Sequence, residues 1–232
     1  MIFDGHSDIF SDVRYKREAG ETQVLKNHHL DRLRKGGIGG ACFVIWADTY
    51  NGHAPKDEME AIVKGIKGEM AETKEFVLIH NVEELKAAEA AGKFAILLGI
   101  EGLAGIGEDL SKIDELYDLG ARHAMLTWNE ENALATGVKG DPNRGVTELG
   151  KQAIQKLQEK KMILDVSHIN EKSFWDVIDL ATGPILASHS NAKALASAAR
   201  NLTDDQLRAI RDTNGLVGLN AFGDFISDNK AE

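Results

Sequence analysis

Five residues of this chain have the chemistry of metal ligands and recur at one kind of place. His6 and Asp8 close the first apolar run, Glu101 closes the third, His168 the fifth and His189 the sixth. Imidazole nitrogens and carboxylate oxygens are the donors that zinc and similar borderline cations take up. His6 and Asp8 are two apart, so on a strand their side chains would share a face. Three imidazoles and two carboxylates exceed the four donors of one tetrahedral zinc, and a second ion sharing a carboxylate would use them all. Each residue alone has an ordinary reading: a His-x-Asp pair in a turn, a glutamate capping the next segment, a satisfied core histidine. Their common position at run ends is what argues for a metal site. The other histidines lack it. His28, His29, His53 and His80 fall in loops or at segment edges, and His123 opens a run, so these are expected to be structural or solvated.

The elements that must position these residues are short and mostly continuously apolar. They are 1–8, 38–46, 94–102, 121–128, 161–168, 184–190 and 216–222. Uninterrupted apolar runs of that length predict parallel strands buried on both faces. Segments of helical period lie between them at 56–73, 82–91, 147–160 and 203–213. Asn81 and Thr147 stand where N-caps are expected, and Thr203 with Gln206 has the capping-box spacing. Gly92, Gly120 and Gly215 fall where a helix hands over to a strand. This rhythm predicts an α/β fold, a (β/α) barrel or a doubly wound sheet. In a barrel the C-terminal strand ends share one rim, where active sites are built. Residues 1–232 read as a single barrel domain with seven strands, one short of eight.

The balance of 37 acidic and 27 basic residues gives a net charge of −10, without a basic patch, which argues against nucleic-acid and anionic-membrane partners. Apolar residues make up 43% and charged residues 28%, an ordinary globular balance with no long apolar span. MIFDGHSDIF lacks a signal-peptide pattern and Cys42 has no disulfide partner, so the cytoplasm is the expected compartment.

The segments DGHSD, LLGIEG, LTWNEENALATG, RGVTELGKQAI, ILDVSH and ASHSNA, in this order and spacing, resemble the membrane (renal) dipeptidase family of zinc peptidases. The likeness runs from residue 1 to about residue 222. It implies that His6 and Asp8 bind one zinc, His168 and His189 another, and that Glu101 bridges the two. Arg200 matches the family's arginine for the substrate carboxylate; without the resemblance it would read as a surface helix-end residue. The implied reaction is attack on a dipeptide's peptide carbonyl by a hydroxide bridging two metal ions. Glu101 as a bridging ligand would not be an available general base, so proton transfer falls to another group. Zinc, cobalt and manganese could all share these ligands. A homodimer is the assembly the resemblance implies.

The chain departs from the family in two places. Trp128 stands where mammalian members carry a substrate-contacting histidine, and Asn129 is a candidate to take over that contact. The family's eighth strand, with the aspartate suited to proton transfer, is expected beyond residue 232, giving a barrel without its last strand and helix. Asp224 and Asp228 do not have the spacing to replace it. Another amidohydrolase-type barrel, such as a lactonase or deaminase, and a non-catalytic remnant remain as alternatives. The first usually opens on His-x-His rather than His6-Ser7-Asp8, and the second would be expected to have lost some ligands.

Overall fold

The computed structural model describes residues 1–47 and 52–229. Parallel strands alternate with helices in an α/β fold. Eight strands occur among the described residues: β1 (Ile2–Ser7), β2 (Ile38–Trp46), β3 (Phe76–Ile79), β4 (Phe94–Glu101), β5 (His123–Met125), β6 (Ile163–Asp165), β7 (Ile185–Ala187) and β8 (Leu216–Val217). The expected count of seven is corrected by β3, whose four residues FVLI are too short a run to stand out between two helical segments. The added strand precedes β4 and does not follow β8. Among the described residues, no helix is long and apolar enough to cross a membrane.

The chain forms two compact units, residues 1–101 with 114–123 and residues 102–113 with 124–232. In the first, four strands pair in the order β1-β2-β4-β3, all parallel. β2 and β4 stay in register from Gly40 opposite Ala95 to Trp46 opposite Glu101. Ala41 to Ile45 are all buried, as a central strand covered on both faces requires. Rings link successive layers of this core. Phe10 meets Phe43 edge-on at 5.5 Å, Phe43 stacks on Phe94 at 5.5 Å, and Phe94 lies 5.1 Å from Phe76. Phe10 and Val13 of the helix Ile9–Glu18 are buried, as are Ile62 and Ile66 of the helix Pro55–Glu72 packed beside it. The buried Glu69 accepts hydrogen bonds from the Val24 and Leu25 amides, both at 2.8 Å, and pairs with Arg17 at 2.7 Å.

The second unit has shorter ladders. β6 pairs with β7, and β7 with β8, over two residues each, in the sheet order β5-β6-β7-β8. The apolar runs predicted strands reaching residues 168, 190 and 222, but the ladders end at 165, 187 and 217. At β6 the cause is Asp165. Its buried carboxylate accepts the Ser167 amide at 2.8 Å and the Ser188 amide at 3.2 Å, which turns the chain out of the ladder.

Helix starts follow the sequence. Asn81 caps Val82–Ala90, Thr147 caps Glu148–Glu159, and Thr203 with Gln206 forms the reciprocal capping box of Asp204–Asp212. Gly92 and Gly120 take positive φ at their hand-overs. At the third, Asn214 takes the left-handed position (φ 58°) instead of Gly215, whose Cβ would lie 2.0 Å from the Ile185 carbonyl oxygen.

Candidate metal centre

In the first unit, β1 carries His6 and β4 ends on Glu101. Asp8 is not on the strand as expected. It lies one residue past β1, at the N-cap position of Ile9–Glu18, with φ −86° and ψ 20°. The turn, rather than the pleat, therefore brings its carboxylate to His6. The His6 Nε2 atom faces both acids, 3.5 Å from Asp8 Oδ1 and 3.4 Å from Glu101 Oε2. Glu101 is 4% exposed, while the Asp8 side chain is open to solvent. Burial pushes the His6 pKa down, but hydrogen bonds to Asp8 and Glu101 outweigh it and raise the imidazole to about 10. The imidazole thus has a carboxylate on each of two contacts, and donors of these types suit a borderline divalent cation.

In the second unit, His168 stands three residues past β6 and His189 two past β7. Both are buried, and their Nε2 atoms face each other at 2.7 Å with ring centroids 4.8 Å apart. The other nitrogen of each ring is also engaged. His189 Nδ1 meets Ser188 Oγ at 2.8 Å, and His168 Nδ1 meets Asn129 Oδ1 at 2.9 Å. Holding the far nitrogen while the near one points at a shared position is how ligating histidines are oriented. His168 also has a left-handed backbone, φ 73°, uncommon for a residue with a side chain.

Arg200 is buried in a turn segment and is not a surface helix-end residue. Its Nε donates to His168 Nδ1 at 3.1 Å, Nη2 to the His189 carbonyl at 3.1 Å and Nη1 to Ser190 Oγ at 3.4 Å. With His168, Lys193 and Gln206 it lines a small cleft of about 30 Å³. Trp128 lies 5.9 Å from the His168 ring, with Lys139 Nζ 5.5 Å over its own ring. Asp228 accepts the Ser197 amide and hydroxyl at 2.7 and 2.9 Å.

Among the remaining histidines, His28 pairs with Glu21, His29 with Asp12 and His80 with Glu84, His53 is exposed, and His123 is fully buried at the start of β5. Asp165 and Ser188 were missed as supporting residues. A carboxylate inside the apolar run KMILDVSH was the available signal, because a buried acid must be tied to donors.

The profile of the family described as "Membrane dipeptidase (Peptidase family M19)" matches residues 1–232. A protein of the PQQ-III 3′ region of Acinetobacter calcoaceticus is 31% identical over 250 residues, covering 94% of this chain and 79% of its own length. A dipeptidase of Schizosaccharomyces pombe is 29% identical, covering 97% of this chain and 60% of its own. Among solved structures, a metallopeptidase of Rhodobacter sphaeroides liganded with a phosphinate mimic of the dipeptide L-Ala-D-Ala superposes with a TM-score of 0.87 at 27% identity. It is matched over 98% of this chain and 75% of that one.

Proposed function

The chain belongs to the membrane dipeptidase family, and from that premise we propose that it is a zinc-dependent dipeptidase. The reading takes residues 1–232 as one barrel domain that works in the cytoplasm as a homodimer. The observation that carries it is the convergence of ligand atoms: His6 Nε2 on two carboxylates in one unit, His168 Nε2 on His189 Nε2 in the other. In this reading His6 and Asp8 hold one ion, His168 and His189 the second, and Glu101 bridges both. Two zinc ions held there would supply a water of lowered pKa and Lewis-acid stabilisation of the developing oxyanion.

The chain's own residues would do the rest. Arg200, beside His168 and with Lys193 on the same cleft, would receive the substrate carboxylate. Trp128 would stand as an apolar wall near the reacting end. The relative that binds a dipeptide mimic supports a substrate of that size.

The test pairs elemental analysis for zinc with hydrolysis of a Gly-Leu-type dipeptide. Close to two zinc per chain with turnover is expected. Glu101→Gln should weaken both ions and lower kcat/KM by more than the about 10–100-fold that outer-shell changes cost. Full zinc content and full turnover in that variant would remove Glu101 as the bridge. Zinc affinity should also rise with pH up to about 10, because the proton on His6 must leave before a cation binds. An affinity flat from pH 7 to 9 would show that no proton on His6 competes with the cation there.

A further inference from the structure

Residues 128–140 fold over His168 and nothing in the ligand set requires them to. An isolated bridge joins Glu131 to Thr136, and the Lys139 amide donates to the Asn129 carbonyl at 2.8 Å. The Val138 amide then donates to the carbonyl of His168 at 2.9 Å, and Gly137 bridges to Ile169. Gly137 lets the two arms close, since a Cβ there would lie 2.2 Å from the Trp128 carbonyl oxygen and 2.3 Å from the Asn129 carbonyl carbon. The hairpin grips the one candidate ligand with a left-handed backbone, a conformation that surrounding structure must hold in place. From the same hairpin, Asn129 Oδ1 reaches His168 Nδ1 at 2.9 Å.

That nitrogen has a second neighbour of opposite character, Arg200 Nε at 3.1 Å. An amide oxygen only accepts and a guanidinium N–H only donates, so one ring nitrogen serves one of them at a time. If Nδ1 carries the hydrogen, Asn129 accepts it and Nε2 keeps its lone pair. If Nδ1 accepts from Arg200, the neutral ring carries its hydrogen on Nε2, where a ligand must have none.

We propose that Asn129 is a positioning residue, which by accepting the Nδ1 hydrogen fixes His168 as a ligand through Nε2, with the hairpin 128–140 as its rigid arm. This rests on the metal-centre reading above and adds to it the residue that chooses the ligating nitrogen. In it Asn129 acts through His168 and does not contact the substrate, in place of the substrate contact that the sequence suggests for it.

The test is a zinc titration followed by calorimetry on the wild type, Asn129→Leu and Asn129→Asp, with long-range proton–nitrogen correlation spectra of the histidine rings. Asn129→Leu keeps the branched shape, with a somewhat larger side chain, and removes the acceptor. It should weaken one of the two zinc ions about 10–100-fold and leave the other unchanged. Asn129→Asp keeps an acceptor and should stay close to wild type, which a merely structural role would not predict. The zinc-loaded wild type should show His168 with a protonated Nδ1 and a metal-bound Nε2. That spectrum needs no variant, so misfolding of the leucine protein leaves the question decidable. A protonated Nε2 with metal on Nδ1, or both zinc affinities unchanged in Asn129→Leu, overturns the proposal. Wild type that takes up no zinc overturns this inference together with the metal centre. Zinc uptake without dipeptide cleavage defeats the dipeptidase reading alone, and the Nδ1 signal still decides the role of Asn129.

Discussion

The two units hold their ligands by different means. In the first, His6 lies in a strand and Glu101 ends one, and a seven-position ladder between β2 and β4 fixes the level of Glu101. Its core is aromatic and aliphatic, with Phe10, Phe43, Phe94 and Phe76 in successive contact. In the second, ladders are two residues long and both histidines stand on loops past their ends. Polar side chains do there what the ladder does in the first unit. Asp165 ties two loops together, Asn170 donates to the Asp141 and Arg144 carbonyls, and Arg144 itself donates to the carbonyls of Asn132 and Ala135. A ladder is cooperative and tolerant of surface change. A side-chain network can aim a loop at one point, but each member left unpaired costs about 1–3 kcal/mol. Sequence changes should therefore damage the two units in different currencies, volume in the first and hydrogen bonds in the second.

The largest effect expected from this contrast is Phe43→Ala. Phe43 is fully buried between Phe10 and Phe94, and removing its ring should cost about 3–5 kcal/mol through lost transfer energy and a residual cavity. For a chain of this length that is a fall in Tm of roughly 6–20 °C, read by calorimetry. A fall of only a degree or two would mean that apolar packing does not dominate the first unit.

The same contrast explains what could be read from the sequence. β2 was bounded correctly at Ile38–Trp46, because a central strand buried on both faces leaves an uninterrupted apolar signature. The caps at Asn81, Thr147 and Thr203 were legible because their chemistry is local, within three residues. β3 was not, since four apolar residues between helices carry no distinct period. The strand ends near His168 and His189 were placed too late, because Asp165 ends the ladder through amides at Ser167 and Ser188, one of them 23 residues away. Ligand types were visible in the sequence. The roles of the partners that orient them, Asn129 and Ser188, depend on contacts between loops and were not, although Asn129 stands out in the sequence as a candidate for substrate contact.

A smaller effect tests the polar side of the contrast directly. Asn170 stands two residues past His168 and is 7% exposed. Its Oδ1 accepts the Ser173 amide at 2.8 Å, capping Glu171–Leu180, while Nδ2 donates to the Asp141 and Arg144 carbonyls at 3.0 and 2.9 Å. Asn170→Ala removes both functions and should cost about 1–3 kcal/mol, less than Phe43→Ala although it removes far less volume per unit of damage. Asn170→Asp separates them, because a carboxylate caps a helix as well as an amide does but has no hydrogen to donate. If the network matters more than the cap, the aspartate variant should lose most of what the alanine variant loses. Native-state hydrogen exchange gives the location. Protection should fall around residues 134–147 and 168–173 while the β2 and β4 amides keep theirs, because local opening follows the weakened contacts. An aspartate variant as stable as wild type would assign the effect to the cap alone, and equal loss in β2 and β4 would mean that the two units unfold together.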